Sequence, residues 1–286
     1  MAAEWRLITG GGTSQSSAAD RLASDGARNM AVDQVLFDSV KAGSPPVVRF
    51  FRWSPACLSL GRNQPARGRY DREGRVPGRD IVRRPTGGLA VVHDQELTYS
   101  VACAVGALGS PRTTYLRVHR AIARGLAALG VPAVVDAGGG KRTPPPSDPL
   151  GVCFAAPAPG EILAAAGKLV GSAQRTEART ILQHGSILLD GSQERAAAGA
   201  AAAALRDGAV RSVAPASPGP TLQPIATLRA LLHRVPDDRE LVDAIGGALE
   251  AELGIRLAPA ALSADEVRRV AEAERHYRSE DWTWRV

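Results

Sequence analysis

Hydrophobic positions along the chain follow two spacings, one typical of strands and one typical of helices. Short apolar runs bounded by glycine, proline or small polar residues predict strands. The predicted strands cover residues 5–9, 46–53, 56–60, 97–105, 131–135, 161–165, 168–174 and 180–189. The runs at 161–165 and 168–174 are separated by a short turn, so we expect them to form a hairpin.

Apolar residues spaced three and four apart predict helices, and capping residues mark the helix ends. Asn29 is expected to cap a helix over 30–40, and Ser110 to open one that ends at Gly130. His119 on that second helix is expected to be at the surface or to have its hydrogen bonds satisfied. Further helices are predicted over 194–206, 237–253 and 264–277.

These elements predict an α/β (α+β) fold, with a mixed β-sheet and packed helices. Residues 1–236 are expected to form one catalytic-size domain, and residues 237–286 a small helical extension packed on it. Residues 136–151 are rich in glycine and proline, which predicts a long mobile loop that leads into Cys153.

A polar turn lies between two apolar runs at residues 83–94, with the sequence RRPTGGLAVVHD. Its paired glycines, Gly87 and Gly88, allow backbone amides to approach a ligand that a side chain would block. An isolated turn of this kind is an ordinary hairpin. Here two arginines and His93 accompany the glycines, so a functional site is expected first in this stretch.

Charge and composition narrow the class of partner. The formal net charge is +6, and arginine carries nearly all of the positive charge because the chain has few lysines. Aromatic residues that could stack on bases are scarce, at 4%, which argues against nucleic acid and favours acidic protein partners. No apolar run is long enough to span a membrane, and the N-terminus has no signal-like pattern, so a cytoplasmic protein is expected.

The three cysteines match neither a zinc-binding pattern nor a disulfide framework. Cys57 and Cys103 lie in predicted strands and are expected to pack in the core. A thiol becomes nucleophilic when a nearby cation stabilises its thiolate, and this makes Cys153 and Lys168 a candidate pair. From the residues alone, a buried apolar Cys153 and a solvated hairpin Lys168 remain the alternatives.

Several blocks, in the same order, resemble one known family. They are the central stretch continued to residue 100, GVCF at 151–154, GKLVGSAQR at 167–175 and LQHGSILL at 182–189. In this order they are similar to the LipM-type octanoyltransferases of the biotin and lipoate protein ligase superfamily. The resemblance covers nearly the whole chain. Within the superfamily, the similarity to the LipM-type subfamily depends mainly on Cys153.

The resemblance implies an octanoyl transfer in lipoate biosynthesis on a biotin/lipoate protein ligase fold. Octanoyl-acyl carrier protein would be the donor, and Cys153 would take the acyl group as a thioester. A lysine of a lipoyl domain or of glycine-cleavage H protein would then accept it as an amide. Neither step needs ATP, a metal or another cofactor. Lys168 would lower the pKa of the thiol and polarise the carbonyl.

The same resemblance assigns substrate binding to the turn and to two later segments. The assigned residues are Arg84, Thr86, Gly87, Gly88, His93, Gly171, Ser172, Ala173, His184, Gly185 and Ser186. His93 is either a general base or a structural residue. Arg83 and Arg84 either face an acidic partner or brace the turn. Many relatives have glycine or a polar residue at the position of Leu89, which leaves the shape of the acyl pocket open.

Three other functions are compatible with these motifs. In an ATP-dependent lipoate-protein ligase, Lys168 would hold an acyl-adenylate, although the chain ends soon after residue 254 and leaves little room for an additional C-terminal domain. An amidotransferase would move octanoyl between lipoyl-bearing proteins. A non-catalytic acyl-binding or protein-binding module is the third, and the pair Cys153 and Lys168 disfavours it.

Overall fold

The computed structural model describes residues 2–10, 22–66, 80–136, 160–191 and 225–286. Cys153 with its block 151–154, the loop predicted over 136–151 beyond its first residue, and the helix predicted over 194–206 lie outside the described residues. The predictions for these segments therefore stay predictions.

Twelve strands and six helices are found in the described part of the chain. The strands are β1 (Ala3–Thr9), β2 (Ala23–Ser24), β3 (Val47–Trp53), β4 (Cys57–Leu60), β5 (Asp80–Arg83), β6 (Val91–His93), β7 (Glu96–Ala104), β8 (Val134–Val135), β9 (Ile162–Ala164), β10 (Gly167–Glu177), β11 (Thr180–Leu188) and β12 (Ile255–Pro259). The helices are α1 (Gly26–Lys41), α2 (Pro111–Ala128), α3 (Leu228–Leu232), α4 (Asp238–Leu253), α5 (Ala264–Arg278) and α6 (Glu280–Thr283). None of these helices is both long enough and apolar enough to cross a bilayer.

The strands form two sheets. The larger sheet has the order β12-β1-β3-β7-β11-β10-β9-β8, with β2 paired to β3. Strand β1 runs parallel to both β3 and β12, whereas the pairs β3–β7, β7–β11 and β11–β10 are antiparallel. The smaller sheet has the order β5-β4-β6, parallel at one side of β4 and antiparallel at the other. The predicted mixed α/β fold is confirmed.

The central turn connects β5 to β6, but these two strands do not form a hairpin. Strand β4 lies between them, because Leu58 is paired with Ile81 on one side and with Val92 on the other. The chain must therefore cross the end of β4 between Arg83 and Val91. This crossing places residues 84–90 over the edge of the smaller sheet, where they can approach the larger one.

Helix α1 begins earlier than the sequence analysis predicted. Asp25, and not Asn29, is the N-cap, and its carboxylate accepts a hydrogen bond of 2.9 Å from the backbone N–H of Arg28. Asn29 is a buried residue inside the helix, and its side-chain amide donates to the carbonyl oxygens of Ser24 and Arg52. The prediction of an Asn29 cap was wrong because a buried asparagine can serve a tertiary contact as well as a cap.

The other long helices have the ends that their sequences indicate. Ser110 caps α2, and Asp237 caps α4. Gly254 ends α4 in the left-handed region, with φ of 69°, as expected for a glycine at this position. Ser263 and Glu266 form a reciprocal capping box at the start of α5.

Helices cover both faces of the larger sheet. Alternate residues of β3 point to opposite faces, so Val48 and Phe50 pack with α2 and α4, whereas Val47 and Phe51 pack with α1 and α5. Strand β12, which the sequence analysis did not predict, extends the larger sheet beside β1. The C-terminal segment therefore supplies a strand as well as helices. That it forms an extension beginning at residue 237 stays a prediction.

Two glycines in helices test how closely α2 and α4 pack. A Cβ at the buried Gly125 of α2 would lie 2.8 Å from the Cα of Ile245, whereas a Cβ at Gly247 of α4 would meet no atom within 4 Å. We expect Gly125→Ala to lower the free energy of unfolding by about 1–3 kcal/mol through overpacking. Gly247→Ala should raise it by about 0.5–1 kcal/mol, because alanine favours the helix. Denaturant unfolding measures both, and equal effects of the same sign would contradict the described contact.

Candidate active site

A cavity lies between the two sheets near the N-terminal half of α1, and its empty space, including the part open to solvent, is about 420 Å³. It takes residues from α1, from strands β3, β4, β6, β7, β10 and β11, and from the central turn. The lining residues are Met30, Trp53, Ser59, Arg84, Val91, His93, Thr98, Gly171, Ser172, Ala173, His184, Gly185 and Ser186. The fold thus brings most of the residues assigned to substrate binding to one cavity.

Two of the predicted segments form one wall, because β10 and β11 are antiparallel neighbours. Gly171 is paired with Ser186, Ser172 with Gly185, and Ala173 with His184. Gly185 must be small here, because a Cβ would lie 2.1 Å from the Oγ of Ser172 and 2.7 Å from the carbonyl oxygen of Gly171. The glycine therefore permits the close contact between β10 and β11 that shapes the wall.

The paired glycines of the central turn have different surroundings. Gly88 is exposed and has φ of 92°, a conformation that favours glycine. Its carbonyl oxygen would lie 1.8 Å from a Cβ at Gly61, so the two segments are in close contact. A Cβ at Gly87 would meet no atom within 4 Å, and this position leaves space beside the turn.

Arg84 holds the turn in shape. Its guanidinium donates to the carbonyl oxygens of Gly87 and Leu89, both at 2.7 Å, and to that of Ser59 at 3.0 Å. Arg84 was expected either to face an acidic partner or to brace the turn, and these hydrogen bonds show that it braces the turn. Its neighbour Arg83 is buried and donates to the carbonyl oxygens of Gly61 and Thr283, at 2.7 and 2.8 Å.

A buried carboxylate lies behind the cavity wall. Asp33 of α1 accepts from Arg49 of β3 at 2.7 Å, from Ser100 of β7 at 2.9 Å, and from Nδ1 of His184 at 3.2 Å. Burial by itself would raise the pKa of Asp33, but the Arg49 guanidinium and the His184 imidazole outweigh it and hold that pKa below its usual range. Asp33 is therefore ionised at neutral pH.

These bonds fix the tautomer of His184. Its Nδ1 faces the Asp33 carboxylate and donates to it. Burial, opposed by Asp33, lowers the pKa of His184, so the ring is neutral near pH 7 and its Nε2 is an acceptor. Thr86 Oγ1 lies 2.6 Å from that nitrogen and donates to it. Thr86 thus lies behind the cavity wall and connects the central turn to β11.

His93 belongs to a second series of hydrogen-bonded side chains, similar to that of Asp33, His184 and Thr86. Its Nδ1 lies 2.8 Å from Oε1 of Glu96, and its Nε2 lies 2.7 Å from Oγ of Ser59. The ring stacks on Trp53 with centroids 3.9 Å apart. Ser186 also donates to Glu96 Oε1, at 2.6 Å. His93 therefore joins the smaller sheet to β7 and β11 through Nδ1, and it contacts β4 of its own sheet through Nε2. Its side chain still lines the cavity.

A third buried histidine contacts the β10 wall from α2. His119 Nδ1 donates to the carbonyl oxygen of Gly160, and its Nε2 lies 2.9 Å from Ser172 Oγ and 3.1 Å from Tyr99 Oη. Burial and, to a smaller extent, the Lys168 ammonium lower the pKa of His119 to about 4. His119 is neutral and its hydrogen bonds are satisfied, which confirms one of the two expectations for it.

Lys168 is buried on β10, three residues before the cavity wall begins. Its ammonium lies 2.6 Å from a carboxylate oxygen of Glu161, which is also buried. The prediction of a hairpin is confirmed, since β9 and β10 are antiparallel, but a solvated lysine is wrong. The Glu161 carboxylate balances the charge that would otherwise be costly to bury. Cys153 lies outside the described residues, so its pairing with Lys168 stays a prediction.

The other two cysteines are core residues, as predicted. Cys57 and Cys103 are both free thiols with no exposed surface. Burial, with a smaller effect of nearby carboxylates, raises the pKa of Cys57 well above its usual value, and burial raises that of Cys103 to about 12. Both thiols are therefore poor nucleophiles at neutral pH.

Four residues that hold the cavity from behind were not predicted from the sequence. Asp33, Glu96, Ser59 and Glu161 each bind a predicted site residue, and they lie on α1, on β7, on β4 and directly before β9. Asp33 could be noticed as an acidic residue within an apolar helical stripe. No local signal marks the others. Among the residues described, no group of three or more His, Cys, Asp or Glu side chains is placed to hold a metal ion.

The Asp33 bonds predict a large effect of one substitution on stability. Asp33→Asn leaves Arg49 as a buried, unpaired charge, and it should lower the free energy of unfolding at pH 7 by about 3–5 kcal/mol. Because the pKa of Asp33 is depressed in the folded protein, its contribution is complete above about pH 4, the usual unfolded value, and is lost as pH falls further.

Denaturant unfolding at several pH values measures this difference. Asp243→Asn is the matched control, because Asp243 forms an exposed i,i+4 pair with Arg239 on α4 and should change stability by less than about 0.5 kcal/mol. Asp33→Asn values as small as those of the control would contradict the role of the buried carboxylate.

Comparison with known proteins agrees with this arrangement. The family model of the lipoyl protein ligase A/B catalytic domain matches residues 25–250. An octanoyltransferase LipM from Kyrpidia tusciae is 34% identical over 98% of both chains. Another from Moorella thermoacetica is 39% identical over 192 residues, and this alignment spans 65% of each chain, slightly less than two thirds of that relative.

Solved structures show the same fold at low sequence identity. Ta0514, a putative lipoate protein ligase from T. acidophilum, matches with a TM-score of 0.71 at 19% identity over 99% of both chains. A bipartite lipoate protein ligase, reported with its E2 lipoyl domain from Thermoplasma acidophilum, gives a TM-score of 0.65 at 17% identity, over 99% of this chain and 96% of that one. The chain therefore belongs to the family of the lipoyl protein ligase A/B catalytic domain, with octanoyltransferases LipM among its relatives.

Proposed function

We propose that the protein is an octanoyltransferase of lipoate biosynthesis. It would transfer octanoyl from octanoyl-acyl carrier protein to a lysine of a lipoyl domain or of glycine-cleavage H protein. The observation that carries this proposal is the cavity whose wall is built by the paired segments 171–173 and 184–186. Relatives named octanoyltransferase LipM, one aligned over nearly its whole length, support the reaction class. The proposed cytoplasmic location stays a prediction.

The cavity offers apolar contacts to an acyl chain. Met30, Trp53 and Val91 give it apolar walls, and Gly171 and Gly185 leave room between them. Each methylene that moves from water to such a wall contributes about 0.8 kcal/mol. Backbone amides of β10 and β11 are mostly used in the sheet, so specificity for the acyl chain would come from the shape of the cavity and not from hydrogen bonds.

The chemistry would proceed in two exchanges at Cys153. Its thiolate attacks the thioester carbonyl of the donor, the carbon–sulfur bond to the carrier breaks, and the carrier leaves as a thiol after taking a proton. The neutral amine of the acceptor lysine then attacks the enzyme thioester. An amide forms, and Cys153 is released. Because the first exchange is nearly isoenergetic and the second is downhill, ATP is not required.

Lys168 would act on both exchanges through its charge. Lys168 lies on β10, the strand that also forms the cavity wall, and the Glu161 carboxylate holds its ammonium. A cation at this place would stabilise the Cys153 thiolate and the negative charge that develops on the carbonyl oxygen. The buried setting strengthens both effects, because little water is present to screen them.

An acylation experiment tests the proposed function. Octanoyl-acyl carrier protein, supplied without ATP, should add one octanoyl group to Cys153, and addition of a lipoyl domain should then remove it. Cys153→Ser should lose at least about 99% of the transfer, because an unactivated hydroxyl is a far weaker nucleophile. Intact-protein and peptide mass spectrometry measure the acyl group.

The result also separates the alternatives. Strict dependence on ATP with free octanoate or lipoate, together with an active serine variant, would show a lipoate-protein ligase instead. Transfer from an octanoylated protein, but not from octanoyl-acyl carrier protein, would show an amidotransferase.

A thiol-reactivity experiment tests the role of Lys168. Cys57 and Cys103 are buried with raised pKa values, so iodoacetamide should modify Cys153 first in the folded protein. Removal of the ammonium in Lys168→Ala should raise the pKa of that thiol and slow the reaction about tenfold at pH 7. The rate should recover at high pH, and an unchanged rate at pH 7 would exclude the lysine from this role.

A further inference from the structure

A group of basic side chains, here called the arginine cluster, surrounds the indole of Trp282 in α6. It consists of Arg62, Arg285 and His276. The guanidinium of Arg62 lies 5.5 Å from the indole centroid and that of Arg285 lies 4.5 Å from it. The ring of His276 is also 4.5 Å from the indole, centroid to centroid. The proposed octanoyl transfer does not use these residues.

Hydrogen bonds hold part of the cluster in place and leave part of it available. Arg285 donates through Nη2 to the carbonyl oxygen of Arg62 at 2.8 Å and to Oδ1 of Asn63 at 3.0 Å. The backbone N–H of Arg62 donates to the carbonyl oxygen of Thr86 at 2.8 Å. Among the described residues, the guanidinium of Arg62 has no hydrogen-bond or ion-pair partner, so its donors are free to bind an anion.

Positive charge prevails around Arg62, although the Glu177 carboxylate attracts its guanidinium. Arg175 is close to Arg62, but its guanidinium is bound to Glu177. Burial and repulsion from Arg175 and Arg285 lower the pKa of Arg62, and burial with Arg285 and Arg62 lowers that of His276. An anion placed between Arg62 and Arg285 would relieve the repulsion between their guanidinium groups.

The cluster lies next to the acyl cavity. Arg62 follows Gly61, which is in close contact with Gly88 of the central turn. On β10, Arg175 follows Ala173 of the cavity wall by two residues, so both side chains point to the same face about 7 Å apart. One ligand can therefore place an apolar chain in the cavity and an anionic group at the cluster.

We propose that the arginine cluster binds the phosphate of a phosphopantetheine arm that carries the acyl group. The proposal rests on the octanoyl transfer proposed above, and it adds a separate binding site for the donor. Guanidinium groups match phosphate oxygens in pairs and bind them with charge-assisted hydrogen bonds. The pantetheine arm links that phosphate to the thioester through a flexible chain, so both sites can bind one donor molecule. The arm is present both on a carrier protein and in coenzyme A.

Donors with and without the phosphate test the proposal. The wild-type enzyme should have a lower KM for octanoyl-phosphopantetheine than for octanoyl-pantetheine, which lacks the phosphate. In Arg62→Gln/Arg285→Gln this preference should fall at least about tenfold, because the charge-assisted contacts of both guanidinium groups with the phosphate are lost. The readout is the ratio of the two KM values, which a general loss of folding or of turnover would not change.

A matched control and two further donors sharpen the result. Arg239→Gln removes one positive charge from an exposed pair on α4 and should leave the ratio unchanged. Comparison of the KM values for octanoyl-acyl carrier protein and octanoyl-coenzyme A shows which source of the arm the enzyme prefers. The double variant should have a higher KM for the preferred donor. A higher KM for octanoyl-acyl carrier protein alone, with no change for octanoyl-phosphopantetheine, would assign the cluster to the carrier's protein surface and overturn the proposal.

A binding measurement separates this proposal from the proposed function. In ligand-observed NMR, free phosphopantetheine should bind the wild-type protein and should bind the double variant more weakly. Pantetheine, which lacks the phosphate, should show no difference between the two proteins. This result does not need turnover, so it holds even if octanoyl transfer fails. Equal binding of phosphopantetheine to the wild type and the double variant would overturn the proposed phosphate site.

Discussion

The buried carboxylate of Asp33 is the interaction on which the cavity depends. It accepts from β3 through Arg49, from β7 through Ser100 and from β11 through His184, while Asp33 itself belongs to α1. His184 extends the same network to Thr86 in the central turn. A helix, the larger sheet and the turn above the smaller sheet are therefore fixed by one ionised group. Its burial is sustained by the Arg49 guanidinium, and the pair must be present together.

Polar residues in and beside the cavity are also held by a supporting group. His93 has Glu96 behind it, His119 has the carbonyl oxygen of Gly160, and Lys168 has Glu161. Each supporting group leaves the ring or the ammonium with one defined orientation. The polar part of the cavity is thus preorganised, while the acyl chain meets apolar and small residues. This division suits a reaction in which shape selects the substrate and charge assists the chemistry.

Local signals were sufficient for most elements of the fold. Short apolar runs predicted β3, β7, β10 and β11, and Ser110 marked the start of α2. Local signals failed where tertiary contacts determine the role of a residue or the formation of a strand. Asn29 resembles a cap, but its amide is used to join α1 to β3. Strand β12 is short, and it forms because β1 offers an unpaired edge. The predicted cavity residues were found through motifs, whereas Asp33 and Glu96 are defined only by what the fold places beside them.

The contacts of Arg83 have a consequence for how the protein folds. Its guanidinium bonds the carbonyl oxygens of residues about 200 positions later, and the indole of Trp282 donates back to the carbonyl oxygen of Arg83. Strand β12 likewise joins β1 from the far end of the chain. Contacts of such long sequence separation carry a large loop-closure entropy and form slowly. Arg83 at the start of the central turn and the β1 edge of the larger sheet should therefore gain these contacts only after residues 225–286 have been synthesised and have docked.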